Sequence, residues 1–501
     1  MRRAEIRLEY VWLALCLIVQ AALLTHRLNL LPMWGDELFT VQAAGRPTGE
    51  LLAMVRGDVH PPLYFLLAHW WEKLPFGDSP LVRARMLSVL FTLLATVALD
   101  RLWLRNTPRG MHLWCLALWT TSSCLLLYSR MARSYSLQVL LFILVCWAAW
   151  RWSEKITSSS RLLMWVASLA ALLYTHYVPG IAAWAGCLVL LYRGREPRRL
   201  LIANALVLLA YLPWLATLAS VVSIWQGKPG LLLVTDSRIL EIGIKLGYSG
   251  FSFLFGEAIP VWMLPVTVLL AIPAAWLLWM GGRAARAWFV PVMVTALIGF
   301  AGVAGWVSYA FGPARLLFLL PLALLAIAKG TQSSTRVGVV IAGALLAANL
   351  VGIMSYFQAR DLLNIGYLAP MESIARNIAG SSPPAGTLVL VDGVNLSGTV
   401  LEYYLPGFTT RQIFTAQDAE AARIEIGNPA IRRVWFLRNP RDITPGHALE
   451  HLENDLIRLR EGELHRYTPF SPTQKALMHV ANVQVSTDFS YSAWEFRDPK
   501  R

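Results

Sequence analysis

Pro61-Pro62-Leu63-Tyr64-Phe65-Leu66-Leu67-Ala68-His69-Trp70-Trp71-Glu72-Lys73-Leu74-Pro75-Phe76 is the stretch on which the fold turns. It is apolar enough to enter a bilayer, yet it falls short of the roughly 20 residues a helix needs to cross the hydrocarbon. It also carries His69, Glu72 and Lys73. If it crossed, every later loop would change sides. The stretch therefore reads as an amphipathic helix lying in the outer interface, with Trp70 and Trp71 at the lipid–water boundary. Pro61 and Pro62 suit its first turn, where no backbone donor is needed.

Working outward from this segment, eleven runs of spanning length remain, near 10–31, 81–104, 111–128, 133–152, 161–177, 178–193, 199–224, 258–281, 286–308, 314–329 and 336–356. The composition demands them: 501 residues that are 56% hydrophobic and 15% charged, with 21 Trp, hold too little polar surface to coat a soluble globule. Arg2, Arg3 and Arg7 precede the first run as in a signal peptide. That run is of spanning length and lacks a small-residue cleavage site, so it reads as a retained anchor. Cys16, Cys115, Cys124, Cys146 and Cys187 all fall inside the runs and imply no disulfide framework.

Lys and Arg concentrate in loops that stay in the cytoplasm. The N-terminus, Arg101 to Arg109, Arg151 to Arg161, Arg193 to Arg199, Arg283 to Arg286 and Lys329 to Arg336 fall on one side if the eleven runs alternate. The expectation is a multi-pass protein of the inner (cytoplasmic) membrane. Its first outer loop, the turns near Arg130, Tyr177 and Arg315, the loop 225–257 and the C-terminal tail then lie outside the cytoplasm. The net charge of +14 belongs to the membrane part: residues 357–501 hold 15 Lys and Arg against 16 Asp and Glu, which leaves 29 against 14 for the rest. Topology accounts for that balance, and nucleic-acid binding is not implied.

Past Tyr356 the character changes. Ser381-Ser382-Pro383-Pro384 reads as a turn, Leu388 to Val391 and Val434 to Leu437 as strands, and Ala416 to Ile426 and Ala448 to Glu461 as helices. The chain thus divides into an all-α polytopic membrane domain, 1–356, with a first outer loop at 32–80, and an extracytoplasmic (periplasmic) α/β domain, 357–501. No internal repeat or low-complexity segment is visible. Asn395-Leu396-Ser397 matches a glycosylation triplet, but such triplets occur by chance.

Polar motifs gather on the outer side. Trp34-Gly35-Asp36-Glu37 places two carboxylates where the first run leaves the membrane. They suit a general base with a neighbour that orients it, a shared cation, or simply a solvated acidic loop. Asp58-Val59-His60-Pro61-Pro62-Leu63-Tyr64 follows in the same loop. Tyr128-Ser129-Arg130-Met131-Ala132-Arg133-Ser134-Tyr135 puts two arginines in an outer turn, where few are expected. A phosphate would explain them, since Arg binds it through paired charged hydrogen bonds; so would pairing with Asp36, Glu37 or anionic lipid. Thr175-His176-Tyr177 and Gly312-Pro313-Ala314-Arg315 complete the set, and an Arg entering the bilayer calls for an anionic partner.

In this order, over roughly residues 10–330, Asp-Glu, His-Pro-Pro-Leu-Tyr, Arg-x-x-Arg-x-Tyr and Thr-His-Tyr resemble the GT-C type glycosyltransferases. The resemblance is greatest to the group holding protein O-mannosyltransferases, lipid A aminoarabinose transferases and lipopolysaccharide-core galacturonosyl transferases. It implies an inverting transfer of a sugar, hexosyl or pentosyl, from a polyprenyl-phosphate donor to a glycan, lipid or protein acceptor outside the membrane. Carried over, Asp36 is the base and Glu37 its positioning neighbour. His60 lines the sugar pocket, Arg130, Arg133 and Arg315 hold the lipid phosphate, and Tyr64, Tyr135 and His176 support them or touch the sugar. A divalent cation stays open, because no ligand spacing decides it. A lipid or sugar-lipid flippase has the same hydrophobicity, but such transporters place ionisable groups near the midplane and often show repeats. An assembly protein whose outer domain binds a partner is a third reading.

Overall fold

A computed structural model of the chain describes residues 2–58, 60–76, 79–192, 196–227, 237–284, 286–303, 312–333, 335–393, 398–438, 445–467 and 491–499. The triplet at 395–397 lies outside the described residues, as does part of the loop 225–257. The chain forms two compact units. One comprises Met1–Leu28 with Phe39–Gln358, and the other Asn29–Leu38 with Ala359–Arg501.

The first unit is helical. It opens with α1 (Arg2–Thr25), and α2 (Gly35–Ala44) enters it from the second unit; α3 (Thr48–Arg56) and α4 (Leu63–Glu72) follow. The long helices begin with α5 (Pro80–Ala98), which continues into a π-helical turn at Leu99–Leu104. Then come α6 (Arg109–Thr120), α7 (Ser123–Ser129), α8 (Tyr135–Glu154), α9 (Ser159–Leu173), α10 (Tyr177–Tyr192) and α11 (Pro197–Gly227). The unit closes with α12 (Arg238–Phe255), α13 (Leu264–Ala284), α14 (Arg286–Val303), α15 (Gly312–Leu316), α16 (Leu320–Ser333) and α17 (Thr335–Phe357). Among the described residues, 7 helical stretches are long and apolar enough to cross a membrane, or 8 if α6 and α7, bent by 50°, make one span. The apolar helices Ser159–Leu173, Tyr177–Val189 and Val290–Val303 are shorter. These helices overlap the apolar runs read from the sequence, fewer of them reaching spanning length than the eleven expected; the stretch 61–76 becomes the ten-residue α4, led by its prolines.

The helices meet through close packing, as they must where lipid competes equally for apolar surface. Trp152 of α8 stacks on Trp165 of α9 at 5.5 Å, both fully buried. Gly281 of α13 lies so close to α16 that a Cβ there would stand 1.8 Å from the Ala326 carbonyl oxygen. Polar pins fix the breaks. Ser122 caps α7 by accepting from the Leu125 amide, and Asn349 of α17 accepts from the Ser123 amide at 2.9 Å and donates to the Leu254 carbonyl at 2.7 Å. At the π-helical turn the buried Asp100 accepts from His112 at 2.7 Å.

In the second unit, a five-stranded mixed sheet follows α18 (Met371–Ser381). Its strands are β1 (Thr387–Asp392), β2 (Thr409–Ile413), β3 (Arg433–Arg438), β4 (Arg460–Tyr467) and β5 (Tyr491–Pro499), in the order β2-β1-β3-β5-β4. The first three are parallel, with α19 (Gly398–Tyr404) and α20 (Ala416–Ile426) in the crossovers, and β5 runs antiparallel to both β3 and β4. β1 is buried along its whole length, as a central parallel strand should be. Leu388, Leu390, Val434, Phe436 and Phe496 pack against α20 and α21 (Ala448–Leu459). The helix expected to reach residue 461 stops at Leu459, because Arg460 takes extended backbone and starts β4.

Candidate active site

Four of the residues singled out from the sequence, drawn from well-separated parts of the first unit, meet in one buried cluster. Arg133 Nη2 lies 3.1 Å from His60 Nε2, and Arg315 Nη1 lies 3.1 Å from the same nitrogen and 3.3 Å from His176 Nε2. His60, Arg133 and His176 are buried, and Arg315, at the end of the short α15, is half-buried.

His60 Nδ1 donates to the Asp58 carboxylate at 2.7 Å, which fixes the tautomer and leaves Nε2 a bare acceptor. Burial lowers the His60 pKa, and the Arg133 charge adds to that, while Asp58 works the other way. Burial followed by Arg315, His60 and Arg133 holds His176 well below the usual histidine range. Both rings are therefore neutral near pH 7. One lone pair on His60 Nε2 thus faces two guanidinium donors. His176 is in a similar position, because its Nδ1 already accepts the Val178 amide at 3.3 Å, and a neutral ring has a single acceptor nitrogen. Two guanidiniums thus converge on one buried nitrogen, a concentration of positive charge and of donors that suits an anion.

Tyr64 and Tyr135 sit behind the cluster. The Tyr64 hydroxyl shares a 3.1 Å hydrogen bond with Ser88, whose own hydroxyl reaches the Arg133 carbonyl at 3.1 Å. Tyr135 packs edge-on against Tyr128 at 5.5 Å. Both tyrosines are buried and support the turn that presents Arg133.

Arg130 departs from expectation. Its guanidinium donates to the carbonyls of Leu23, Leu24, His26 and Arg27 and, through Nε, to the Tyr356 hydroxyl at 3.0 Å. The first two are carbonyls of the last turn of α1, and the other two belong to the turn that follows it. Arg130 thus ties the end of α1 to α17 through Tyr356.

Asp36 and Glu37 occupy the first turn of α2, where a helix favours negative charge. They belong to the second compact unit, with Asn29–Leu38, whereas the arginine and histidine cluster belongs to the first. Asp36 is half-buried and Glu37 fully buried. Beside them, Trp34 packs edge-on against Tyr367 at 5.6 Å.

Three charged residues not singled out from the sequence are buried nearby in the chain order. Glu241 and Lys245 of α12 form a 2.6 Å ion pair, both at 1% exposure or less, although an i,i+4 pair ordinarily reads as a solvated helix face. Glu257 accepts from Tyr128 and, at 3.0 Å, from Tyr248. Gly256 makes this possible: its φ of +78° turns the chain after α12, and a Cβ there would lie 2.0 Å from Ser123 Oγ. Burial pushes the Glu257 carboxyl up to about 7, the two tyrosines opposing the shift. Among the described residues, the one group of three metal-ligand side chains close enough to share an ion is Glu463, His465 and Glu495 in the tail sheet.

The fold defines a class: the chain has the architecture of a GT-C type membrane glycosyltransferase, a polytopic helical unit carrying a small α/β unit. ArnT from Cupriavidus metallidurans in the apo state is similar over 98% of both chains, with a TM-score of 0.51 at 12% identity. The same protein bound to undecaprenyl phosphate gives 0.47 at 13% identity over 97% of both chains. The Archaeoglobus fulgidus oligosaccharyltransferase, solved with Zn and sulfate, gives 0.47 at 10% identity over 85% of this chain and 67% of that one. At such identities the likeness to apo ArnT establishes the fold alone. No protein-family model matches the sequence, and no curated protein is significantly similar to it.

Proposed function

We propose that this protein transfers a sugar from a polyprenyl-phosphate donor to an acceptor hydroxyl on the outer face of the cytoplasmic membrane, crossing that membrane eleven times with its C-terminal domain outside. The observation that carries the reading is the convergence of Arg133 and Arg315 on the neutral His60 Nε2, each at 3.1 Å, with His176 beside them. A phosphate held there accepts from both guanidiniums and balances their charge. As the anomeric C–O bond breaks, the electron pair leaves with the phosphate oxygen, and the two guanidiniums stabilise that charge where it develops. A strong general acid is then not required.

Asp36 is assigned the base. It takes the proton of the acceptor hydroxyl, whose oxygen attacks the anomeric carbon from the face opposite the phosphate. The products are an inverted glycoside and the free polyprenyl phosphate. Glu37, buried beside Asp36 in the same helical turn, orients it.

Transfer of radiolabelled sugar from a panel of polyprenyl-phosphate sugars to membrane acceptors tests this, comparing the native protein with Asp36→Asn. Loss of about 10²-fold or more in the variant, with insertion unchanged, is expected for removal of a general base. Retained lipid-phosphate binding with no transfer from any donor would point instead to a flippase.

A further inference from the structure

We propose a divalent-cation site of the zinc type in the tail sheet, formed by Glu463 and His465 of β4 and Glu495 of β5, independent of the transfer chemistry. The register places Glu463 directly opposite Glu495, and His465 two residues further along the same face of β4. One oxygen of each carboxylate and one ring nitrogen of His465 all lie within 4.8 Å of one another, a span one ion can bridge. This face is turned away from the apolar core that α20 and α21 cover. Trp435 of β3 lies on it and stacks on the His465 ring at 5.5 Å and 27°, fixing the plane in which the imidazole presents its nitrogens.

A second observation points to a ligand. Glu495 is 3% exposed, and its Oε1 has no hydrogen-bond partner among the described residues; the same holds for the buried His465 Nε2. Buried polar atoms are ordinarily satisfied, and the unpartnered His465 Nε2, beside a Glu495 Oε1 held only by a long 3.6 Å ion pair, calls for a further partner.

Arginines offer a competing account of the charge, because Arg433 lies 3.6 Å from Glu495 Oε1 and Arg497 lies 3.4 Å from Glu495 Oε2 and 3.6 Å from Glu463. These contacts are long, and the Arg497 side chain is 61% exposed, so it swings aside at little cost. Neither arginine hydrogen-bonds His465 Nε2 among the described residues. One imidazole and two carboxylates form a nitrogen–oxygen donor set that suits Zn²⁺, with three protein ligands and one position left for water or a surface ligand. Because β4 is the edge strand and its pairing is irregular between Arg460 and Gly462, an ion here would clamp that edge to β5.

The test is titration of the full-length, chelator-stripped protein in detergent with ZnCl2 against a chromophoric competitor, alongside thermal melting. The native protein is expected to bind one equivalent that His465→Gln and Glu463→Gln each weaken at least tenfold, and to melt higher with zinc only when that equivalent is bound. Glu463 is exposed, so its variant reports on the site even if a change at buried Glu495 perturbs the sheet. Zinc binding that is absent from the native protein, or unchanged in both variants, overturns the proposal.

Discussion

Replacing Arg315 by Gln removes one of two guanidiniums that meet at His60 Nε2 and leaves Arg133 to hold an anion alone. Losing one charged hydrogen-bonding partner of a phosphate costs about 1.5–3 kcal/mol, roughly a 10- to 100-fold weaker grip on the lipid phosphate. The expected outcome for Arg315→Gln is a donor KM raised by that factor with normal folded yield; an unchanged KM would remove Arg315 from the phosphate site. Arg130→Gln should do the reverse. It strips the Leu23, His26 and Arg27 carbonyls of their donor, so stability falls by on the order of 3 kcal/mol, read as a lower melting temperature in detergent, while folded protein binds donor as before. Arg130 and Arg133 look alike in sequence because each is costly between two apolar runs. What separates them is the direction in which the turn at 130–134 points each side chain, and no spacing rule encodes that. His60, His176 and Arg315 were legible as polar residues in apolar surroundings. Glu257 was not, since its isolation from charge and its two tyrosine partners come from chain segments over a hundred residues apart.

At the scale of elements, Gly256 delivers Glu257 into a buried place between α7 and α12, and this has a consequence for pH. The carboxyl titrates near 4.5 when unfolded and near 7 when folded, so the folded state holds its proton more tightly. The stability it contributes is present below pH 4.5 and is lost as pH rises through about 7. Melting temperature should therefore fall across that window and level off above it, and Glu257→Gln should flatten the fall; a native profile without any slope there would contradict this. Packing between helices carries a separate expectation. Trp165→Ala empties the stack that joins α8 to α9 and should destabilise by about 3–5 kcal/mol, read as a loss of melting temperature with the α20–α21 side of the tail unaffected. The helices themselves were readable because spanning length and apolar content are local properties. The bend between α6 and α7 and the π-helical turn were not, being fixed by Asn349 and by the Asp100–His112 bond from distant positions.

For the whole molecule, the division into two units matters more than the count of spans. The sequence reads as a membrane domain followed by a tail, with the first outer loop assigned to the former. In the structure the segment Asn29–Leu38, which carries Asp36 and Glu37, forms one compact unit with Ala359–Arg501, while His60, Arg133, His176 and Arg315 belong to the other. Grouping of residues so far apart along the chain is invisible to periodicity or motif order, which register only local neighbours. Ending the chain after Gln358 would leave Asn29–Leu38 without the rest of its unit, including the Tyr367 ring against Trp34, while the arginine and histidine cluster keeps every contact described for it. The truncated protein should accordingly bind polyprenyl phosphate within about threefold of the native affinity, yet lose transfer to the extent that Asp36→Asn does, about 10²-fold or more. A truncation that still transfers at a tenth of the native rate would show that the carboxylates hold their place without the tail. Loss of phosphate binding together with transfer would show that the cluster depends on it.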